Sequence, residues 1–161
     1  MITVIRSIEE WNQYRTNDVG DRSLGFVPTM GGLHEGHCSL AERSLSENDF
    51  TAVSIFLNRT HFNKAADYDS YPADFAQDVG KLEILGVDAV FAPDYDSMYP
   101  DSYNYRVSEH VDSLPREGAR RPGHFDGVLT VVMKLLNISG AGRAYFGEKD
   151  YQQLQLVKGM V

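Results

Sequence analysis

Short runs of apolar and β-branched residues alternate along the chain with longer stretches in which apolar residues recur every three or four positions. The short runs predict strands at 1–5, 24–27, 50–57, 87–92 and 143–146, and an outlying strand at 105–107. The longer stretches predict helices at 7–16, 38–48, 74–86 and 125–136, and a last helix after residue 150. Strands that alternate with helices along the whole chain predict an α/β domain with a mostly parallel sheet.

Composition narrows the possible functions. The chain has 161 residues and a formal net charge of −8, which argues against a general nucleic-acid-binding protein. An anionic substrate would therefore need a local positive site. Cys38 is the only cysteine, so an internal disulfide is excluded and a reducing, cytoplasmic setting is expected. Neither an apolar run of ~20 residues nor a signal-peptide pattern is present, so no membrane association is expected.

Residues 27–37, which we call the histidine corner, read Val-Pro-Thr-Met-Gly-Gly-Leu-His-Glu-Gly-His and connect a predicted strand to a predicted helix. Such a corner suits polyphosphate, because the first N–H groups of a helix lack partners and the helix dipole favours an anion there. Its three glycines would let a ligand approach the backbone closely. His34 and His37 are three positions apart, so on a helix their side chains face the same way. The corner is therefore predicted to bind a ligand.

Two other interpretations of the histidine corner stay open. The glycines can serve only to make the turn, with the histidines capping the helix or packing against it. Paired histidines can also bind a metal, but such a site needs a third ligand, and no His-Glu-x-x-His motif is present. The Gly-x-Gly-x-x-Gly fingerprint and the P-loop motif of nucleotide-binding proteins are absent.

Two further polar segments are candidates for ligand contact. Residues 58–63 follow a predicted strand, and parallel-sheet proteins place ligand loops at the carboxyl ends of strands; a polar surface loop is the alternative. Residues 116–125 form the only dense basic cluster in an acidic chain and precede a strong helical pattern. A run of charges is usually a solvated surface, and an anion site is the alternative here.

Four blocks of sequence, in order along the chain, together resemble the pantothenate synthetase family of the nucleotidyltransferase superfamily. They are residues 28–37, Ser-Ile-Phe-Leu-Asn at 54–58, Arg-Pro-Gly-His-Phe-Asp-Gly-Val at 121–128, and Tyr-Phe-Gly-Glu-Lys-Asp-Tyr-Gln-Gln-Leu at 145–154. The His-x-Gly-His of the first block marks only the superfamily, whereas the last two blocks are far more specific. The resemblance implies a Rossmann-like fold with helices on both faces of the sheet, and a homodimer formed through this domain.

The family joins pantoate to β-alanine in two steps. ATP first adenylates pantoate and releases pyrophosphate, and β-alanine then attacks the acyl adenylate to give pantothenate and AMP. The resemblance implies that His34, His37 and Lys149 are catalytic, and the chemistry fits, because negative charge builds up on phosphate oxygens and needs fixed donors. Mg²⁺ would arrive with ATP, bound largely by phosphates and water rather than at a metal site of the protein.

The resemblance also assigns ligand contacts. The ATP-binding residues are Pro28, Thr29, Met30, Gly31, Gly32, Leu33, His34, Glu35, Gly36, His37, Gly147, Glu148, Lys149 and Asp150. The residues for pantoate and β-alanine are Asn58, His61, Arg121, His124 and Gln153. His61 departs from the family, which usually has glutamine there, and a histidine cannot reproduce both functions of one amide group. We therefore expect His61 to affect the affinity for the acid substrate.

A larger departure concerns length. The family continues past the last helix with a Ser-Ser-Arg-Asn loop that grips the triphosphate and a C-terminal domain that closes over the site. Residues 1–161 are thus expected to be the N-terminal nucleotide-binding domain without that lid. Weak ATP binding and little or no turnover are expected, because a missing lid removes transition-state contacts and admits water. Two other functions stay open: another His-x-Gly-His adenylyltransferase, and a degenerate ATP-binding or interaction domain.

Overall fold

The computed structural model describes residues 1–59 and 74–161. Its strands are β1 (Thr3–Ile5), β2 (Leu24–Thr29), β3 (Phe50–Ile55), β4 (Ala89–Phe91) and β5 (Arg143–Ala144). They form one five-stranded sheet in the order β1-β4-β3-β2-β5, and every neighbouring pair is parallel. The predicted parallel sheet is therefore confirmed.

The helices of the described ranges lie between these strands or follow them. They are α1 (Ile8–Tyr14), α2 (Glu35–Glu47), α3 (Phe75–Leu85), α4 (Tyr95–Met98), α5 (Glu117–Arg120), α6 (His124–Ser139) and α7 (Tyr151–Met160), and a π-helical turn, Arg15–Val19, extends α1. Local chemistry sets several of their ends. Ser7 and Glu10 form a reciprocal capping box at the start of α1, and Gly86 ends α3 in the left-handed conformation.

Apolar side chains are buried on both faces of the sheet, because successive residues of a strand point in opposite directions. Phe26 and Phe91 belong to a core that includes residues of α1, α6 and α7. Val27 and Val90 belong to a second core, which α2 and α3 cover. Helices therefore lie on both faces, as the Rossmann-like fold requires.

The predicted outlying strand at 105–107 is wrong. The N–H of Tyr105 donates to the Asp101 carboxylate at 2.9 Å, and the N–H of Val107 donates to the Thr130 hydroxyl at 2.9 Å. Side chains rather than a neighbouring strand therefore satisfy this backbone. Other differences concern boundaries: the strand predicted at 143–146 is only Arg143–Ala144, and the helix predicted from residue 38 begins at Glu35.

The order of the strands creates a switch point between β2 and β5. From β2 the sheet grows through β3 and β4 in one direction, whereas β5 lies on the opposite side of β2. In parallel α/β sheets, ligands bind outside the carboxyl ends of the strands at such a switch point. The histidine corner follows β2, and residues 145–150 follow β5, so both segments lie at this switch point.

Candidate functional site

The histidine corner joins β2 to α2 through two glycines in the left-handed region. Gly31 and Gly32 have φ values of +83° and +66°, which residues with a side chain rarely adopt. His34 caps α2, because its Nδ1 accepts the N–H of Gly36 at 3.1 Å. The Nδ1 of His37 accepts the N–H of His34 at 3.4 Å, and the two ring centroids are 4.1 Å apart. The predicted common orientation of the two histidines is confirmed, and so is the capping role of His34.

These hydrogen bonds assign the proton of each neutral imidazole to Nε2. An Nδ1 that accepts a backbone N–H carries no proton itself, so the other ring nitrogen must carry it. His34 and His37 can therefore each donate one hydrogen bond from Nε2 without being cations. Helix capping and ligand binding do not compete, because they use different nitrogens of His34.

The surroundings of His37 keep its ring neutral in the free chain. Burial, followed by electrostatic repulsion from His34, lowers the pKa of His37 below its usual 6.5, and Lys149 adds to this effect. The carboxylate of Asp78 acts in the opposite direction. A proton-donor role for His37 near neutral pH therefore requires a ligand whose negative charge raises the pKa.

Gly36 leaves room for the ring of His34. A Cβ atom at position 36 would lie 2.9 Å from Cε1 and 3.1 Å from Nδ1 of that ring. Any side chain would therefore push the imidazole away from its capping position and from His37. This contact is the physical reason for a glycine between the two histidines.

The backbone of the histidine corner does not offer the donors that the sequence predicts. The N–H groups of Gly32 and Leu33 donate to the Asp78 carboxylate at 2.7 and 2.8 Å, and the N–H of Gly36 donates to His34. The expectation that these three amides are unpaired is therefore wrong. The imidazole Nε2 atoms are further donors of the corner.

A cavity of about 580 Å³ opens beside the histidine corner, at the carboxyl edge of the sheet. Its walls come from the ends of β2 and β3, from α6, and from the segment between β5 and α7. The predicted site residues that line it are Pro28, Thr29, Met30, His37, Asn58, Arg121, His124, Lys149, Asp150 and Gln153. All four sequence blocks that carry the family resemblance therefore contribute to one cavity.

The other predicted contacts lie elsewhere. Those outside the cavity lining are Gly31, Gly32, Leu33, His34, Glu35, Gly36, Gly147 and Glu148. Gly31 and Leu33 are buried below the turn, whereas His34 and Glu35 are exposed. Glu148 lines a second groove of about 500 Å³ beside α2 and α7. His61 lies outside the described residues.

Lys149 supplies a positive charge to the cavity. Its side chain is exposed and makes no hydrogen bond or ion pair with the described part of the chain. In a chain with a net charge of −8, such a lysine provides the local positive site that an anionic substrate needs. Its role as a phosphate contact is consistent with this position.

The wall formed by β3 and α6 carries polar groups suited to an acid. Asn58 is only 1% exposed and donates to the carbonyl of Gly127 at 3.3 Å, while its Oδ1 has no hydrogen-bond partner among the described residues. Arg121 donates to Nε2 of His124 at 3.3 Å and lies 3.6 Å from the Glu117 carboxylate. A buried acceptor and a guanidinium group fit a ligand with hydroxyl and carboxylate groups.

Most of the apolar lining of the cavity was not predicted from the sequence. The apolar residues that were not assigned to the site are Phe56, Phe125, Val128, Val131, Val132, Leu135 and Phe146. Helical periodicity identifies the buried stripe of α6 but does not show that a cavity lies against it. Phe125 and Val128 belong to a block that carries the family resemblance, which was the available signal.

Gln152 was also missed, together with Glu117 and Tyr151. Its Nε2 donates to the carbonyls of Asp112 and Pro115 at 2.8 and 2.9 Å, and its Oε1 accepts the N–H of Glu117 at 3.2 Å. These bonds attach residues 105–123, which we call the arginine loop, to the start of α7. The neighbouring Gln153 lines the cavity without these bonds.

Residues 1–59 and 74–161 contain no group of three or more His, Cys, Asp or Glu side chains that could hold a metal ion. The same ranges contain no helix that is long and apolar enough to cross a membrane.

Comparison with known sequences identifies relatives over the whole chain. The model of the pantoate–β-alanine ligase family matches residues 2–161. The chain is 52% identical over 160 residues to a pantothenate synthetase of Coxiella burnetii, and 50% identical over 161 residues to one of Bdellovibrio bacteriovorus. These matches cover 99% and 100% of this chain but only 62% and 63% of the relatives. The chain therefore spans less than two thirds of the length of these relatives.

Comparison with solved structures agrees. The fold matches a pantoate–β-alanine ligase from Francisella tularensis, complexed with β-γ ATP and β-alanine, with a TM-score of 0.96 and 43% identity over 100% of this chain and 62% of that one. It matches the pantothenate synthetase of Thermus thermophilus with a TM-score of 0.92 and 43% identity over 99% of this chain and 57% of that one. On sequence and fold together, the chain belongs to the pantoate–β-alanine ligase family.

Proposed function

We propose that this chain carries the adenylation site of an ATP-dependent pantoate–β-alanine ligase. The observation that supports this most strongly is the convergence of the four sequence blocks on one cavity at the switch point of the sheet. The Francisella relative is complexed with β-γ ATP and β-alanine, which are ligands of the same classes. The proposed products are pantothenate, AMP and pyrophosphate.

The first step is attack of the pantoate carboxylate on the α-phosphorus of ATP. The new bond joins a carboxylate oxygen to phosphorus, and the bond from that phosphorus to pyrophosphate breaks. Nε2–H of His37, with Nε2–H of His34 beside it, donates to phosphate oxygens as their charge increases. Lys149 adds a positive charge from the turn after β5. The charge of bound phosphate also raises the pKa of His37, so that this ring can take up a proton and stabilise the leaving pyrophosphate.

The polar and apolar walls of the cavity suit pantoate. Its carboxylate and hydroxyl groups match Arg121, His124, the unpaired acceptor of Asn58 and the amide of Gln153. Its two methyl groups match the apolar stripe of α6. In the second step, the β-alanine amine attacks the acyl carbon and AMP leaves; holding the two reactants together supplies most of the acceleration.

Mg²⁺ is the proposed ion of the ATP complex. Asp150 lines the cavity next to Lys149, and a carboxylate is an oxygen ligand of the kind that Mg²⁺ prefers. Phosphate oxygens and water would provide the other ligands. When bound, the ion neutralises part of the triphosphate charge.

We also propose a domain organisation, an oligomeric state and a location for this protein. We take residues 1–161 as the N-terminal, nucleotide-binding domain of a protein with the length of its relatives, whose remaining part closes over the cavity. A homodimer formed through this domain and a cytoplasmic location complete the proposal, and Cys38, the one cysteine and unpaired, fits that location.

The test is AMP release by the purified chain, with Mg-ATP, pantoate and β-alanine each omitted in turn. The chain is used at a concentration close to that of pantoate, so that a single slow turnover is measurable. We expect AMP only when pantoate and β-alanine are both present with ATP. Release that does not depend on pantoate would contradict the proposal, whereas no release at all would place essential groups in the part of the relatives that this chain does not cover.

A further inference from the structure

Asp78 binds two successive backbone N–H groups of the turn that carries the histidines. Gly31 and Gly32 in this turn have positive φ, and successive backbone N–H groups of a turn can form a concave anion site. The side chain of Asp78, on α3, reaches this turn and places Oδ2 at 2.7 Å from the nitrogen of Gly32 and Oδ1 at 2.8 Å from that of Leu33. Asp78 is only 1% exposed. The occupant of the turn is therefore a carboxylate of the chain itself.

A second side chain of α3 holds the same turn. Lys81, one helical turn after Asp78, donates from Nζ to the carbonyl of Leu33 at 2.6 Å. Helix α3 thus binds both the N–H and the C=O group of Leu33, the residue that precedes the helix cap His34. Displacement of α3 or loss of Asp78 would release the turn that carries both histidines.

We propose that Asp78 is a positioning residue of this active site, whose carboxylate fills the anion-binding turn and so holds His34 and His37 in place beside the cavity. The catalytic part of this proposal rests on the function proposed above, whereas the position of the two histidines does not. The carboxylate keeps phosphate away from the amides of Gly32 and Leu33, because they are occupied and the occupant is negative. A phosphate oxygen is therefore directed to the imidazole Nε2 atoms and to Lys149.

The charge of Asp78 also acts on His37. The titratable groups that act on this imidazole are His34 and Lys149, which lower its pKa, and Asp78, which raises it. Removal of the carboxylate charge must therefore lower the pKa of His37 further and make the ring harder to protonate. A residue that only stabilised the fold would not have this effect.

The test compares Asp78→Asn with the unchanged chain by NMR. The variant keeps the shape of the side chain but removes the charge and one acceptor. We expect a lower pKa for His37 from the titration of its ring protons, altered shifts and faster hydrogen exchange for the Gly32 and Leu33 amides, and a fall in AMP formation of about tenfold or more. Glu83→Gln is the matched control, because Glu83 is an exposed acid on the same helix whose contacts are with Met1 and Ile2.

An unchanged His37 titration together with unchanged Gly32 and Leu33 amide resonances in Asp78→Asn would overturn the proposal. Through-hydrogen-bond scalar couplings between these two amide nitrogens and the side-chain carboxyl carbon of Asp78 test it in the unchanged chain, without a variant. Their absence, when couplings across the β2–β3 pair are visible, would overturn it equally. Neither NMR result depends on ATP or pantoate, so a failure of the proposed function is seen separately, as AMP formation that does not depend on pantoate.

Discussion

The two walls of the cavity are built in different ways. The histidine corner is short, lies between a strand and a helix, and bonds to a buried carboxylate. The arginine loop contains only the single-turn helix α5, and Arg116 adopts a positive φ of 58° without being a glycine. Side chains from outside the loop, Gln152 and Thr130, bind its backbone. The corner is held by its helix caps and by Asp78 and Lys81 of the one helix α3, whereas the arginine loop depends on single side chains of α6 and α7.

This difference suits the two walls to different proposed roles, adenylation for the histidine corner and binding of the acid for the arginine loop. Transfer of the adenylyl group needs hydrogen-bond donors that are already in place when charge develops on the phosphate, and the histidine corner provides them. An acid-binding wall can adjust to its ligand, so a loop held by a few hydrogen bonds is adequate. Changes in the corner should therefore reduce the rate of adenylation, whereas changes in the arginine loop should mainly weaken the binding of the acid.

The largest effect is expected from His37→Ala. Loss of a donor aimed at developing phosphate charge should lower pantoate-dependent AMP formation by about 10²–10³-fold, with a much smaller change in the pantoate KM. Single-turnover AMP assays measure this directly. His110→Ala, which removes an exposed histidine of the arginine loop, is the control and should keep the full rate.

A smaller effect is expected from Gly36→Ala. The new methyl group displaces the His34 ring, so the cap of α2 and the arrangement of both imidazoles are disturbed. AMP formation should fall by roughly tenfold, because misplaced imidazole donors no longer align with the developing phosphate charge. Gly80→Ala is the control, because a Cβ atom there meets nothing within 4 Å. Equal rates for the two variants would show that the space at Gly36 is not needed.

Gln152→Ala tests the other wall. Loss of its bonds to Asp112, Pro115 and Glu117 frees the arginine loop from α7. We expect a loss of about 1–3 kcal/mol in the free energy of unfolding and a severalfold higher pantoate KM with little change in kcat. Chemical denaturation and steady-state kinetics give these values. Gln155→Ala on the exposed side of α7 should change neither, and a fall in kcat alone would contradict the division of tasks.

The pH dependence of stability should show the environment of His37. Its pKa in the folded chain is lower than the usual 6.5, so as the pH falls through 6.5 the unfolded chain takes up this proton first. The free energy of unfolding should therefore decrease with falling pH until the folded pKa is also passed. His37→Gln should make this part of the profile flatter. An identical profile for the variant would show that the ring is not held neutral.

The smallest effect is expected at position 61. The family usually has glutamine there, and its amide can donate and accept at once. His61→Gln should therefore lower the pantoate KM modestly and leave the ATP dependence unchanged. An unchanged or higher KM would remove this residue from the account of specificity.

The difference between local and distant contacts explains which parts of the structure could be predicted from the sequence. Strand and helix periodicity predicted the parallel sheet, and the spacing of His34 and His37 predicted their common orientation, because these depend on local geometry. The partner of the corner was missed, since Asp78 is 45 residues from Leu33 in the chain and no local pattern connects them. The strand predicted at 105–107 was wrong for a related reason: the hydroxyl of Thr130, 23 residues after Val107, binds that backbone.

The most direct test of the two-walled cavity is NMR mapping of two ligands on the isotope-labelled chain, first Mg-ATP and then pantoate. We expect ATP to perturb Met30, His37 and Lys149 and to raise the pKa of His37, and we expect pantoate then to perturb Asn58, Arg121 and Gln153. Perturbations confined to the second groove around Glu148 would contradict the division of the cavity into a nucleotide wall and an acid wall. The same would follow if each ligand, added without the other, perturbed the same residues.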